Sequence, residues 1–168
     1  MAVLFHLFVV NGNRQKNKMT SSSDKFEILK LENQVCFPLY ACAKEVIRIY
    51  RKPLEPLKLT YTQYIVMMVL WEFGDITEKA LGQKLYLDSG TLTPLLKKLE
   101  NIGYITRCRL PDNERLILIS LTSAGKKLKE KALQVPKALE GCINLDYEEL
   151  LTLKSLLNKA LQGVDNIG

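Results

Sequence analysis

Between Thr77 and Leu121 the chain sets a short helix, a hydroxyl-rich helix and a pair of strands in immediate succession, an order that admits few folds. Thr77-Glu78-Lys79-Ala80 reads as a capped start of a helix to about Leu85. The segment Leu87-Asp88-Ser89-Gly90-Thr91-Leu92-Thr93-Pro94-Leu95-Leu96-Lys97-Lys98 then opens a second helix, which Gly103 ends. Residues 104–109 read as a strand, residues 110–114 as a turn and residues 115–121 as a returning strand. Two strands with a basic tip behind a helix-turn-helix make a wing. Small hydroxyls at a helix start (Ser89, Thr91, Thr93) reach phosphates or base edges without filling a groove, and Lys97 and Lys98 supply charge near a phosphate backbone. Arg107, Arg109 and Arg115 arm the wing. Taken without its neighbours, the same segment is an ordinary capped surface helix.

The flanks are helical. From Ile28 the apolar positions Leu31, Val35, Leu39, Cys42, Val46 and Ile49 recur at helical spacing to about Lys52, with Pro38 predicting a bend or break close to Cys36. Thr60-Tyr61-Thr62-Gln63 is a capping-box pattern opening an almost wholly apolar helix that Gly74 ends. Thr122-Ser123-Ala124-Gly125 caps a helix running toward Ala138 and interrupted at Pro136, and residues 145–161 carry a last amphipathic helix. The first and last helices have apolar faces that the small central module cannot cover, which predicts a homodimer. A twofold dimer presents two recognition helices about 34 Å apart, matching a pseudo-palindromic double-stranded DNA operator.

The chain has 168 residues, 47% hydrophobic and 25% charged, which suits one soluble domain. Its 24 Lys and Arg against 18 Asp and Glu give +6, consistent with an anionic partner. One histidine, His6, and four scattered cysteines, Cys36, Cys42, Cys108 and Cys142, argue against a metal site; no cofactor is implied, and reduced thiols fit a cytoplasmic protein. The apolar run at residues 1–10 lacks the flanks of a signal peptide and is too short to span a bilayer, so no membrane partner is expected. Residues 1–24 are expected to be a disordered leader or a non-native extension, with Met19 an alternative start. Residues 25–168 form one domain: a winged helix-turn-helix over 56–122, and dimerisation helices over 28–55 and 123–166. The fold class is mainly α with a small two-stranded wing.

Four motifs, in order and spacing, resemble the MarR family of winged-helix repressors and within it the organic-hydroperoxide-responsive, OhrR-like branch: Leu31-Glu32-Asn33-Gln34-Val35-Cys36-Phe37, Leu59-Thr60-Tyr61-Thr62-Gln63-Tyr64, the segment 87–99, and Asn113-Glu114-Arg115 with Ile119-Ser120-Leu121-Thr122. The resemblance implies a homodimeric repressor released from its operator by oxidation, with organic hydroperoxide as oxidant. It implies Cys36 as the sensing thiol, tyrosine hydroxyls at Tyr50 and Tyr61 as its partners, and Tyr40 as a third donor one turn away. Tyr50 is fourteen residues along the same helix, about 21 Å from Cys36 at 1.5 Å per residue, so these groups meet only across a dimer. The family has a one-cysteine type, oxidised with a small external thiol, and a two-cysteine type; Cys142 stands about where the second type carries its resolving cysteine. The family's wing motif is Asp-x-Arg. Here Arg115 keeps the arginine while Asn113 replaces the aspartate, losing the charge-assisted pair.

Three other readings compete. One is a MarR-type repressor released by a small aromatic ligand, with Cys36 a passive core residue. A second is a thiol peroxidase, which the lack of a histidine beyond the leader disfavours. A third, an interaction module that has lost DNA binding, is disfavoured by the lysines and Arg115. The expectation is a regulator and not an enzyme.

Overall fold

The core is organised around the helix that Thr60 opens. In the computed structural model, which describes residues 24–110 and 113–165, Tyr61–Phe73 is α-helical. The expected capping box is present: Thr60 Oγ1 accepts from the Gln63 amide, and Gln63 Oε1 accepts from the Thr60 amide at 2.8 Å. Gly74, at φ +73°, ends the helix. Its buried Val66, Met67 and Leu70 meet Leu54, Leu81, Leu92, Leu96, Leu99, Ile105, Ile119, Leu128 and Val135 in one cluster. Each such side chain contributes roughly 1.5–3 kcal/mol on burial.

In chain order the elements are two 3-10 turns (Asp24–Leu29 and Leu31–Asn33), α1 (Cys36–Leu54), a 3-10 turn (Glu55–Leu57), α2 (Tyr61–Phe73), β1 (Ile76–Thr77), α3 (Glu78–Leu85), α4 (Ser89–Ile102), β2 (Ile105–Leu110), β3 (Asn113–Leu121), α5 (Ser123–Ala132), α6 (Gln134–Lys137) and α7 (Tyr147–Asp165). Thr77 caps α3 through the Ala80 amide, Asp88 caps α4 through the Thr91 amide, and Gly103 at φ +86° ends α4. The corner between α3 and α4 is tight: a Cβ on Gly82 would lie 2.8 Å from the Leu87 carbonyl oxygen, so only glycine fits without movement.

The wing differs from expectation by one strand. β2 and β3 pair antiparallel with Ile105 opposite Leu121 and Cys108 opposite Leu118, and β1 adds to the other edge of β3 with Ile76 opposite Ile119, giving the order β1-β3-β2. A two-residue strand has no periodicity to read, which is why the sequence shows only two.

The first helix breaks close to Cys36, as Pro38 predicts, but the stretch before the break differs from expectation. Residues 28–35 are not α-helical, and α1 begins at Cys36. Pro38 accounts for this, because it has no amide to give the Gln34 carbonyl, whereas in the third position of a helix that amide has no helical partner anyway. At the other end, α5 stops at Ala132, whose carbonyl Pro136 cannot serve, and α6 restarts the helix for four residues. Of the expected leader, residues 1–24, all but Asp24 lie outside the described residues, and Asp24 opens the first 3-10 turn.

Three ties join the module. Trp71 Nε1 donates to the Gly125 carbonyl and Lys129 Nζ donates to the Trp71 carbonyl, each at 2.9 Å, locking α2 to α5. Thr122 Oγ1 donates to the Gly103 and Tyr104 carbonyls, fixing the start of α5 to the end of α4. By contrast, Leu54 is the one buried residue of α1, and none of the described residues of α7 is buried. Phe37, Leu39 and Ile47 on α1 and Leu151, Leu156 and Leu161 on α7 stay exposed in the single chain. Among the described residues no helix is long and apolar enough to cross a membrane.

Candidate nucleic-acid interface and thiol site

The start of α4 is built by Asp88. Its two carboxylate oxygens accept from the Thr91 amide and the Thr91 hydroxyl, both at 2.9 Å, and these bonds hold the carboxyl below its usual range. Ser89 and Thr91 are exposed, as are Lys97 and Lys98 further along α4 and Arg109 on the wing strand. Thr93 is turned differently. Half-buried, it donates its hydroxyl to Glu78 Oε1 on α3 at 2.5 Å. Arg107 is also committed within the fold, its Nε donating to Glu100 Oε2 on α4 at 3.1 Å. The Arg115 side chain lies outside the described residues, as does that of Asn113. The exposed hydroxyls and lysines therefore share one helix, and Thr93 and Arg107 serve as struts on either side of it.

Glu78 and Glu100 are not among the site residues that the sequence points to. Their partners lie on other elements, fifteen and seven residues away, beyond the reach of helical spacing rules.

The thiol site is split. Cys36 is exposed at the first residue of α1. Its Sγ lies 4.0 Å from Gln34 Oε1. Gln34 Nε2 in turn donates to the Ile28 carbonyl, and Asn33 Nδ2 to the Glu27 carbonyl at 2.8 Å, so side chains just before α1 staple the leading turns. Tyr40 is exposed one turn beyond Cys36.

Tyr50 and Tyr61 meet at the other end of α1. Their ring centroids are 4.8 Å apart in an edge-to-face contact, with Tyr64 6.1 Å from Tyr50. Burial, then the neighbouring tyrosines, push Tyr50 above its usual value, and burial followed by Tyr61 does the same to Tyr64. The fold thus brings the two expected tyrosines together and leaves Cys36 of the same chain about 21 Å along the helix. Cys142, also exposed, sits in the turns between α6 and α7, its Sγ 3.9 Å from the Ala138 carbonyl. Cys42 and Cys108 are exposed as well, so Cys42 is not packed within the single chain as a core residue would be. Among the described residues no cluster of His, Cys, Asp and Glu could hold a metal ion.

Comparison with known proteins places this arrangement. Residues 48–132 match the family model of the SarA/Rot transcriptional regulators. The chain is 48% identical over 139 residues to the organic hydroperoxide resistance transcriptional regulator of Bacillus subtilis, covering 83% of this chain and 95% of that one. Among solved structures it is similar to reduced AbfR bound to DNA (33% identity, TM-score 0.72, 85% of this chain and 98% of that one) and to disulfide-formed AbfR (38% identity, TM-score 0.56, 82% and 99%). It is also similar to a cysteine-to-serine mutant of Escherichia coli MarR complexed with operator DNA (26% identity, TM-score 0.69, 84% and 99%).

Proposed function

The chain belongs to the SarA/Rot and MarR winged-helix transcriptional regulators, and from that membership we propose that it is a homodimeric repressor that senses organic hydroperoxides by oxidation of Cys36. One observation carries the reading: Cys36 is exposed at the first residue of α1, in a chain 48% identical to a hydroperoxide resistance regulator. The apolar faces of α1 and α7 supply the dimer contact, residues 56–122 the DNA-binding module, and residues 28–55 and 123–166 the dimerisation helices. It acts in the cytoplasm on a pseudo-palindromic operator. Ser89, Thr91, Lys97, Lys98, Arg109 and Arg115 face the DNA, and Thr93 and Arg107 hold α4 in place.

In the chemical step the Cys36 thiolate attacks the terminal oxygen of the hydroperoxide. An S–O bond forms as the O–O bond breaks, and the departing alkoxide takes a proton to become an alcohol. The resulting sulfenic acid condenses with a thiol, losing water and forming a disulfide. That thiol is Cys142 of the partner subunit or a small external thiol. Tyr50 and Tyr61 of one chain donate to Cys36 of the other, since their own Cys36 is out of reach. Each thiol is oxidised once, so the role is sensing and not turnover. The ligand-released alternative gains nothing from the relatives, one of which is named for hydroperoxide resistance.

The test begins with duplexes enriched by the wild-type protein from a randomised DNA pool. Gel shifts on the selected duplex should show tight binding that is lost after cumene hydroperoxide and restored by dithiothreitol. Cys36→Ser should bind and stay bound. A Cys36→Ser protein that still dissociates on oxidation would remove Cys36 as the sensor.

A further inference from the structure

We propose that Glu78 is a positioning residue for DNA recognition: by accepting the Thr93 hydroxyl across the helix-turn-helix it fixes how α4 is seated and thereby sets sequence discrimination. The inference rests on the DNA-binding reading above. Glu78 is the first residue of α3 and Thr93 the fifth of α4, so their 2.5 Å bond spans the two helices of the motif near the end that carries Ser89 and Thr91. Much of the contact between α3 and α4 is apolar and includes Leu81, Leu92 and the close approach at Gly82. Apolar packing permits small rotations of one helix on another, whereas a short hydrogen bond to a carboxylate has a direction.

The bond is not there for stability alone. Glu78 Oε2 is buried with no hydrogen-bond partner among the described residues, and a carboxylate oxygen left so costs free energy. An apolar pair of the same size would hold the helices together without that cost. What a carboxylate adds is register: it fixes Thr93 on the α3 side, keeping its hydroxyl out of the groove, and leaves Ser89 and Thr91 as the hydroxyls exposed to DNA. At the far end of α4, the Arg107 bond to Glu100 ties the helix to the wing, so α4 is held at both ends by side chains from neighbouring elements.

The experiment compares affinity for the selected duplex with affinity for a scrambled duplex of the same composition. Wild type, Glu78→Ala, Glu78→Gln, Thr93→Val and the Glu78→Ala/Thr93→Val double variant are measured at several salt concentrations, each checked for folding by circular dichroism. Glu78→Ala and Thr93→Val should each lower the ratio of the two affinities about tenfold, the size of one lost base-pair contact. Binding to the scrambled duplex and the salt slope should stay unchanged, because no phosphate contact is lost. The double variant should be no worse than either single one. Glu78→Gln, which keeps an oxygen acceptor and gives the second position a donor, should restore the ratio. If both single variants keep the wild-type ratio, or lose both affinities in parallel with thermal stability, the positioning role is overturned. A wild type that enriches no sequence from the pool overturns the DNA-binding reading itself and this inference with it.

Discussion

Whether a sensing centre lies within one chain or across two can be decided with a dimer that carries one broken half of each kind. The perturbation is a mixed dimer of a Cys36→Ser chain and a Tyr50→Phe/Tyr61→Phe chain, isolated through two affinity tags. Both tyrosines are changed because their rings touch at 4.8 Å and either hydroxyl could serve alone; phenylalanine keeps that ring contact. Such a dimer has a single Cys36, on the chain whose own tyrosines are gone. Along α1 that Cys36 is about 21 Å from position 50 of its own chain, several times the length of a hydrogen bond, so of the tyrosines at positions 50 and 61 only the other chain's can reach it. A hydrogen bond to a charged group is worth about 1.5–3 kcal/mol, so losing the phenols should slow oxidation at least roughly tenfold. The homodimer of the double tyrosine variant sets this slow limit. The mixed dimer should nonetheless react with the wild-type rate constant, at half the number of thiols, when sulfenic acid is trapped with dimedone and counted by mass spectrometry. A mixed dimer as slow as the tyrosine-variant homodimer would refute the cross-chain arrangement.

Lys97→Ala and Lys98→Ala should weaken binding to every duplex and lower the salt slope by about one each, whereas Arg107→Ala should leave the slope near wild type because its guanidinium is bonded to Glu100; gel shifts across salt concentrations check both. Arg115→Ala should cost about 1–3 kcal/mol on the selected duplex if it enters a groove, and unchanged affinity would remove it from the interface. With no added thiol, peroxide-treated protein should run as a disulfide-linked dimer on non-reducing gels and Cys142→Ser should not; a wild type that instead gains the mass of a supplied small thiol would make Cys142 structural. Tyr50 is raised from 10.0, so the folded state favours the protonated phenol: stability is full below about pH 10 and is lost as pH rises through the folded value. Alkaline melting curves of Tyr50→Phe should therefore fall less steeply above that pH than those of wild type.

The elements that the sequence made legible are those whose ends carry their own chemistry. Thr60 with Gln63, Thr77, Asp88, Gly103 and Thr122 each mark a boundary by a local hydrogen bond or a positive φ, and each boundary stands within a residue or two of expectation. The start of α1 has a different origin. Apolar spacing over residues 28–49 is continuous, and Pro38 marks the break close to Cys36 where α1 begins; what the spacing does not show is that residues 28–35 before the break are 3-10 turns and not α-helix. β1 is too short to have a pattern, and it exists only because β3 offers an edge. At the site, exposed residues such as Lys97 and Lys98 are legible because their exposure follows from helix phase. The pairing of Thr93 with Glu78 and of Arg107 with Glu100 is tertiary, and no spacing rule foretells which hydroxyl or guanidinium turns inward.

The ties within the module bear on how the proposed oxidation of Cys36 would act on DNA. Cys36 is about 27 Å from Leu54, the one buried residue of α1, Tyr50 also packs on the core only at that end, and the first half of α1 has no buried residue to repack. Meanwhile α2 is locked to α5 by the two Trp71 bonds, and α5 to the end of α4 through Thr122. A few atoms added at Cys36 therefore meet no core that could relay a distortion to the recognition helix. What they can change is the contact between chains. A disulfide needs Cα atoms within about 7 Å, so the proposed bridge from Cys36 to Cys142 of the partner subunit would pull the start of one α1 toward the turn after the other α6. Each of these segments is fastened to its own DNA-binding module, so the two modules must shift relative to each other while staying internally intact. Taking an operator-bound population from 99:1 to 1:99 requires about 5.5 kcal/mol of difference between the two spacings. A change in which both half-sites lose register, several contacts at about 1–3 kcal/mol each, supplies that without unfolding either winged helix.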